Sequence, residues 1–166
     1  MGAAAMILIA VGANLPSRVG APLATCRAAV AALAGRELAL LAVSNWYRSP
    51  ADPPSEQPEF VNGVVAVSTR LSPAAVLGTL HGIEAEFGRR RGNVNAARTL
   101  DLDLIDYNGL VQPGPPNLPH PRLAERAFVL IPLSEVAPDW RDPRNGHAIA
   151  EMVNCFKCQT LSRICD

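Results

Sequence analysis

The 166-residue sequence predicts an α+β sandwich, an antiparallel sheet with helices packed against it. Three observations carry that prediction. Short apolar runs and helical periodicities follow one another in the order β-α-β-β-α-β, proline and glycine separate them, and the length suits one domain with a sizeable buried core. Hydrophobic residues make up 49% and charged residues 18%, which excludes a disordered or highly charged chain.

Each element has a local reason. Ile7 to Val11 is a short apolar run closed by Gly12-Ala13-Asn14, a strand entering a loop. Pro22 suits the first turn of a helix that alanine-rich sequence carries to Gly35. Leu38 to Tyr47 is a second strand candidate. Pro50, Pro53, Pro54 and Pro58 make the next stretch a loop. Phe60 to Thr69 returns as a strand with Val61, Gly63, Val65 and Val67 on one face. Ser72-Pro73 reads as an N-cap and first helical position. Val76, Leu77, Leu80, Ile83 and Phe87 continue that helix at helical spacing until Gly88 ends it.

A basic loop, Arg89 to Asn93, leads to Thr99–Tyr107, where Leu100, Leu102 and Leu104 face one way and Thr99, Asp101 and Asp103 the other. Asn108-Gly109 signals a hairpin turn. After a second proline-rich loop, Gln112 to Pro121, the stretch Arg122 to Val136 reads as helix, with Pro132 disturbing its regularity. This order matches a ferredoxin-like sandwich with helices on one face of the sheet. Residues 1–153 are expected to form a single catalytic domain and 154–166 a tail without an assigned role.

Charge and targeting signals narrow the function. Lys+Arg and Asp+Glu are 15 each, a formal net charge of zero that argues against coating nucleic acid by bulk electrostatics. No apolar run reaches the roughly 18 residues a helical membrane span needs. Met1 to Ala13 is apolar, but the first basic residue is Arg18, so the positive leader of a secretory signal is missing and a cytoplasmic protein is expected. Met6 is an alternative start. Cys155 and Cys158 form a C-x-x-C without a second ligand pair and read as reduced thiols on a loose tail.

The chemistry centres on Asp101-Leu102-Asp103. Residues i and i+2 of a strand share a face, and two carboxylates about 6 Å apart repel by roughly 3 kcal/mol at an effective dielectric of 20. If that face is enclosed, a cation belongs there, and oxygen donors of this kind suit Mg²⁺. By itself the pair reads first as an ordinary half-exposed strand whose outer face carries Asp. Arg98 and the Arg89-Arg90-Arg91 triplet stand close by in sequence. Carboxylates for metal beside guanidiniums for phosphate is an arrangement phosphoryl transfer uses. The triplet, Arg90 above all, also reads as a solvated helix-end cluster. His120 between Pro119 and Pro121 is a phosphate donor or a structural histidine. His81 falls on a helix, Asn14 reads as a turn residue, and Asn62 is an unusual strand residue that suggests a ligand hydrogen bond. Neither a Walker-type phosphate loop nor a Gly-x-Ser-x-Gly nor a zinc-type His pair is present.

Together these residues resemble a known family. Arg98-Thr99-Leu100-Asp101-Leu102-Asp103 is similar to the signature of 6-hydroxymethyl-7,8-dihydropterin pyrophosphokinases of folate biosynthesis. The similarity extends from Ile7 to Pro143 through Gly12-Ala13-Asn14-Leu15, Tyr47-Arg48-Ser49-Pro50, Gln57 to Asn62, Ile83-Glu84, Gly88-Arg89, and Pro119-His120-Pro121 leading to Arg126-Ala127-Phe128. The resemblance implies transfer of diphosphate from ATP to the pterin hydroxymethyl group, giving AMP. It implies two Mg²⁺ on Asp101 and Asp103, with Arg89 and Arg91 assisting catalysis. Leu77, His81, Glu84, Arg91, Arg98, His120 and Arg126 are then expected at ATP. Ser49, Pro50, Phe60, Asn62 and Phe128 are expected at the pterin, where aromatic faces and an amide edge suit a flat heterocycle. ATP and a dihydropterin would be the partners of a monomer, with no nucleic acid and no membrane.

Three departures from the family pattern stand out. Asn95-Ala96-Ala97 replaces the usual Trp-Gly-Pro, Phe60 stands where Tyr is common, and Ser49 replaces Thr. Two other readings compete, a non-catalytic binding module for nucleotide or RNA and a degenerate pyrophosphokinase.

Overall fold

The computed structural model describes residues 5–90, 92, 96–156 and 161–165. Strands β1 (Ala5–Ala13), β2 (Ala39–Val43), β3 (Tyr47–Ser49), β4 (Phe60–Thr69), β5 (Asp101–Tyr107) and β6 (Ser162–Arg163) form one sheet in the order β5-β1-β4-β3-β6, with β2 also on β4. All the pairings are antiparallel. Helices α1 (Pro22–Ala34), α2 (Pro73–Glu86), α3 (Ala127–Val136) and α4 (Ile149–Asn154) pack on it. Ser72 caps α2 as its sequence suggests, its Oγ accepting from the Ala75 amide at 3.2 Å.

The helices lie on both faces of the sheet, which corrects the one-faced expectation. On one side Cys26, Ala29 and Leu33 of α1 and Val76, Leu80 and Ile83 of α2 close over Ile7, Ile9 and Val65. On the other, Val129, Leu130 and Leu133 of α3 and Ile149 and Met152 of α4 close over Leu8, Val64, Ala66 and Ile105. The cause is visible in the strands. Ile7-Leu8-Ile9 and Val64 to Val67 are unbroken buried apolar runs, and a strand apolar on both faces needs cover on both.

Four local expectations also change. Leu38–Tyr47 is not one strand. Between β2 and β3, Ser44 Oγ accepts from the Val64 amide at 2.9 Å, and Trp46 lies against Gly63, where a Cβ would stand 2.6 Å from its ring. The stretch Arg122–Val136 is a 3₁₀ turn, Leu123–Glu125, followed by α3 from Ala127. Arg126 between them is extended, at φ −118° and ψ 97°. Asn108 and Gly109 do turn with positive φ, but the chain continues into a loop with a single bridge from Gln112 to Leu118. Finally, part of the expected loose tail is ordered, because β6 pairs with β3. The C-x-x-C reading falls partly outside the described residues, at Cys158, while Cys155 is exposed.

Candidate active site

Asp101 and Asp103 project from β5, opposite Gly12 and Ala10 of β1. Gly12 is in turn opposite Asn62, which is opposite Tyr47. One row across the sheet therefore joins Asp101, Gly12, Asn62 and Tyr47. Glycine gives the Asn62 amide its room, because a Cβ at Gly12 would stand 2.8 Å from Asn62 Oδ1 and displace it. The Asn62 amide lies over that gap and donates from Nδ2 to Ser49 Oγ at 2.6 Å. A strand asparagine, odd in sequence, is thus locked in orientation by its neighbour.

Guanidiniums converge on the carboxylates from three segments. Arg89 Nη1 reaches Asp101 Oδ1 at 2.7 Å and also pairs with Glu84. Arg98 Nη1 is 3.2 Å from Asp101 Oδ2. Arg126 Nη1 is 3.8 Å from Asp103 Oδ2, and its guanidinium lies 5.5 Å from the centre of the Phe128 ring. Arg126 can reach in because the backbone breaks between the 3₁₀ turn and α3. Buried Glu84 also accepts from the Leu102 amide at 2.9 Å, tying α2 to β5. Burial alone would weaken the Arg89 charge, but Asp101 and Glu84 outweigh it and hold the guanidinium above its ordinary pKa.

The two aspartates differ. Two arginines compensate Asp101, whereas burial, reinforced by the Asp101 carboxylate, pushes Asp103 upward and distant Arg126 offsets only part of this. Asp103, under-compensated beside its paired neighbour, leaves a place for a cation at the two carboxylates. The donor set is oxygen only, and among the described residues no group of three or more His, Cys, Asp or Glu assembles. That suits Mg²⁺, which takes one or two carboxylates and completes its shell with water and phosphate oxygens. His120 is pushed down to about 4 by burial and by Arg126, so it is neutral at pH 7. Its Nδ1 accepts from the Arg122 amide at 3.1 Å, which leaves Nε2 to carry the proton.

Two open clefts meet at this centre. The first, about 690 Å³, is lined by Ser49, Pro50, Phe60, Asn62 and Phe128, every residue expected at a heterocycle. The second, about 920 Å³, is lined by Leu77, His81, Glu84, Arg89 and His120. Asp101, Asp103, Arg98 and Arg126 line both. Arg91 and Asn95 lie outside the described residues.

Sequence reading undervalued Asn14. It is buried, donates from Nδ2 to Gln57 Oε1 at 3.0 Å and Pro58 O at 3.1 Å, and accepts the Arg98 amide on Oδ1 at 2.8 Å. The residue read as a simple turn former thus clamps the loop beside the first cleft to the strand entrance that carries Arg98. Pro116 and Asn117, which also line the second cleft, carry no local signal because their loop reads only as proline-rich.

A carboxylate pair ringed by guanidiniums, set between a cleft lined by Phe60 and Phe128 and a more polar one, is an arrangement of the kind phosphoryl transfer between two substrates uses. The chain belongs to the 7,8-dihydro-6-hydroxymethylpterin-pyrophosphokinase family, whose sequence model matches residues 8–138. It is 44% identical over 132 residues to a Synechocystis protein named 2-amino-4-hydroxy-6-hydroxymethyldihydropteridine pyrophosphokinase, covering 75% of this chain and 67% of that one. It is 37% identical over 150 residues to the Haemophilus influenzae protein of the same name, covering 89% and 91%. The fold is shared with wild-type Plasmodium falciparum HPPK-DHPS with pteroate, at a TM-score of 0.72 and 10% identity. The match covers 94% of this chain and 45% of that longer one.

Proposed function

We propose that the chain transfers the β,γ-diphosphate of ATP to the hydroxymethyl oxygen of 6-hydroxymethyl-7,8-dihydropterin and releases AMP, a step of folate biosynthesis. The observation that carries this reading is the sorting of residues. Those expected at the pterin line one cleft, the described residues expected at ATP line the other, and Asp101 and Asp103 stand where the clefts meet.

The reaction forms a bond from the hydroxymethyl oxygen to the β-phosphorus, gives up that hydroxyl's proton to solvent, and breaks the phosphorus's bond to the α,β-bridging oxygen, which leaves with AMP. It needs no protein nucleophile, so positioning and charge neutralisation are the work of the site. Phe60 and Phe128 hold the flat ring, and Asn62, oriented by Ser49, meets its amide edge. Arg89, Arg98, Arg126 and the His120 Nε2 proton are placed for the phosphates, and Leu77 and His81 border the nucleoside end. Two Mg²⁺ held by Asp101 and Asp103 supply neutralisation of the polyphosphate charge when bound. Both clefts come from one chain, which supports a monomer as the working unit. The exposed free thiols Cys155 and Cys165 support a reducing compartment such as the cytoplasm.

The test is AMP release from Mg·ATP with and without the pterin, with identification of the pterin product. Pterin-dependent AMP and a diphosphorylated pterin are expected. Absence of pterin-dependent AMP under conditions where both substrates bind sinks the assignment.

A further inference from the structure

Strand β6 lies beyond the residues that the family model matches, yet it is joined to the wall of the first cleft. Strand β3 is only three residues long. On its inner side Tyr47, Arg48 and Ser49 stand opposite Asn62, Val61 and Phe60. On its outer side Tyr47 and Arg48 stand opposite Arg163 and Ser162. Next to these pairs, the Ile164 amide donates to Trp46 O at 2.8 Å, and the Ile164 side chain packs on the core cluster that contains Trp46. The row that begins at Asp101 and passes through Gly12, Asn62 and Tyr47 therefore ends on Arg163.

That position matters because the start of β3 is tied to Val64 and Glu135, while along its outer edge the strand pairs with β6. The proline-rich loop follows it directly, and Glu135 of α3 accepts from the Asn45 amide at 2.9 Å and the Tyr47 hydroxyl at 2.8 Å, which holds the start of the strand and leaves its outer edge to β6. Without β6 it would be a very short edge strand with one row of backbone groups unpaired. Ser49 at its end orients the Asn62 amide, and Trp46 at its start covers Gly63 on the cleft floor. None of the residues lining the second cleft lies on β3 or β6.

We propose that Ile164, with the β6 pairing it anchors, is a positioning residue for the heterocyclic substrate. It holds β3 against β4 so that Ser49 and Asn62 present one fixed hydrogen-bonding edge. This rests on reading the first cleft as the pterin site. Loosening β3 lowers the fraction of molecules competent for the pterin, and apparent affinity falls in proportion to that fraction.

The test uses two full-length variants. Ile164→Pro removes the N–H that bonds Trp46 O, and Ile164→Ala keeps that bond while removing the core contact. Pterin affinity is measured by fluorescence titration beside a non-hydrolysable Mg·ATP analogue, analogue affinity by calorimetry, and exchange at the Tyr47–Ser49 amides by hydrogen–deuterium exchange. Ile164→Pro is expected to weaken pterin binding roughly five- to tenfold, with analogue affinity within about twofold of wild type. Faster exchange at Tyr47–Ser49 and a near-normal kcat at saturation should accompany it. Ile164→Ala should fall between the two, and it carries the test if the proline variant does not fold. Faster exchange with unchanged pterin affinity overturns the proposal, as does equal weakening of both ligands. A wild-type chain that binds the analogue but no pterin overturns instead the reading of the cleft, and the inference with it.

Discussion

The two clefts are built by different means. In the first, Ser49, Phe60 and Asn62 stand on paired strands, and the β3–β4 register places them. In the second, long charged side chains from α2, the segment after it and the 112–126 region converge, and their positions depend on one another through Glu84–Arg89, Arg89–Asp101 and Arg98–Asp101 contacts. A rigid frame suits a flat heterocycle with one hydrogen-bonding edge. On the proposed function, mutually paired charges suit a flexible polyphosphate, because the arginines that neutralise Asp101 would also meet incoming phosphate. On that reading nucleotide would exchange with the ion pairs at Asp101, and a cation would relieve the under-compensated Asp103.

The sharpest way to break the comparison is at the shared centre. Asp101→Ala and Asp103→Ala are each expected to lower kcat by about 10²–10³-fold or more while the thermal melt stays cooperative. Near-normal turnover in both variants would show that neither cleft depends on the carboxylates. A smaller effect on turnover, confined to the polar cleft, follows from Glu84→Ala. It leaves Arg89 and the Leu102 amide without their buried carboxylate, and a loss of about 3–5 kcal/mol in urea unfolding is expected. Weakened nucleotide binding with pterin affinity retained should accompany it, and equal loss of both would merge the two clefts into one unit.

The strand-built cleft is probed by Gly63→Ala. The added Cβ would stand 2.6 Å from the Trp46 ring, so about 1–3 kcal/mol of stability should be lost and pterin binding should weaken more than nucleotide binding. The effect confined to the narrowest range of conditions is a pH dependence. His120 is held near 4 in the folded chain against an ordinary 6.5, so the unfolded chain takes up its proton first as pH falls. Its contribution is complete above about 6.5 and declines toward about 4. His120→Gln should flatten that part of a melting-temperature profile, and an unchanged slope would remove His120 from the account.

Much of the site was legible because it is written in local geometry. A period of two places Asp101 and Asp103 on one face whatever the rest of the chain does. Asn62 betrayed itself as a polar residue in an apolar strand. Asn14 did not, because an asparagine after a glycine is ordinary in a turn, and its role exists only once Gln57 and Arg98 arrive from distant segments. The family motifs supplied the sorting of residues into two substrates, which spacing alone could not have done.

What the amino-acid sequence determined by itself was therefore short-range. It set which stretches are strands, where Ser72-Pro73 starts a helix, and which β5 residues share a face, since backbone sterics and side-chain period act over a few residues. Tertiary structure alone decided the two-sided helix cover, the break at Arg126, the division between β2 and β3, the pairing of β6 with β3, and which arginines neutralise Asp101. Most of these rest on contacts between residues distant in the chain, where packing and the need to compensate buried charge override local preference.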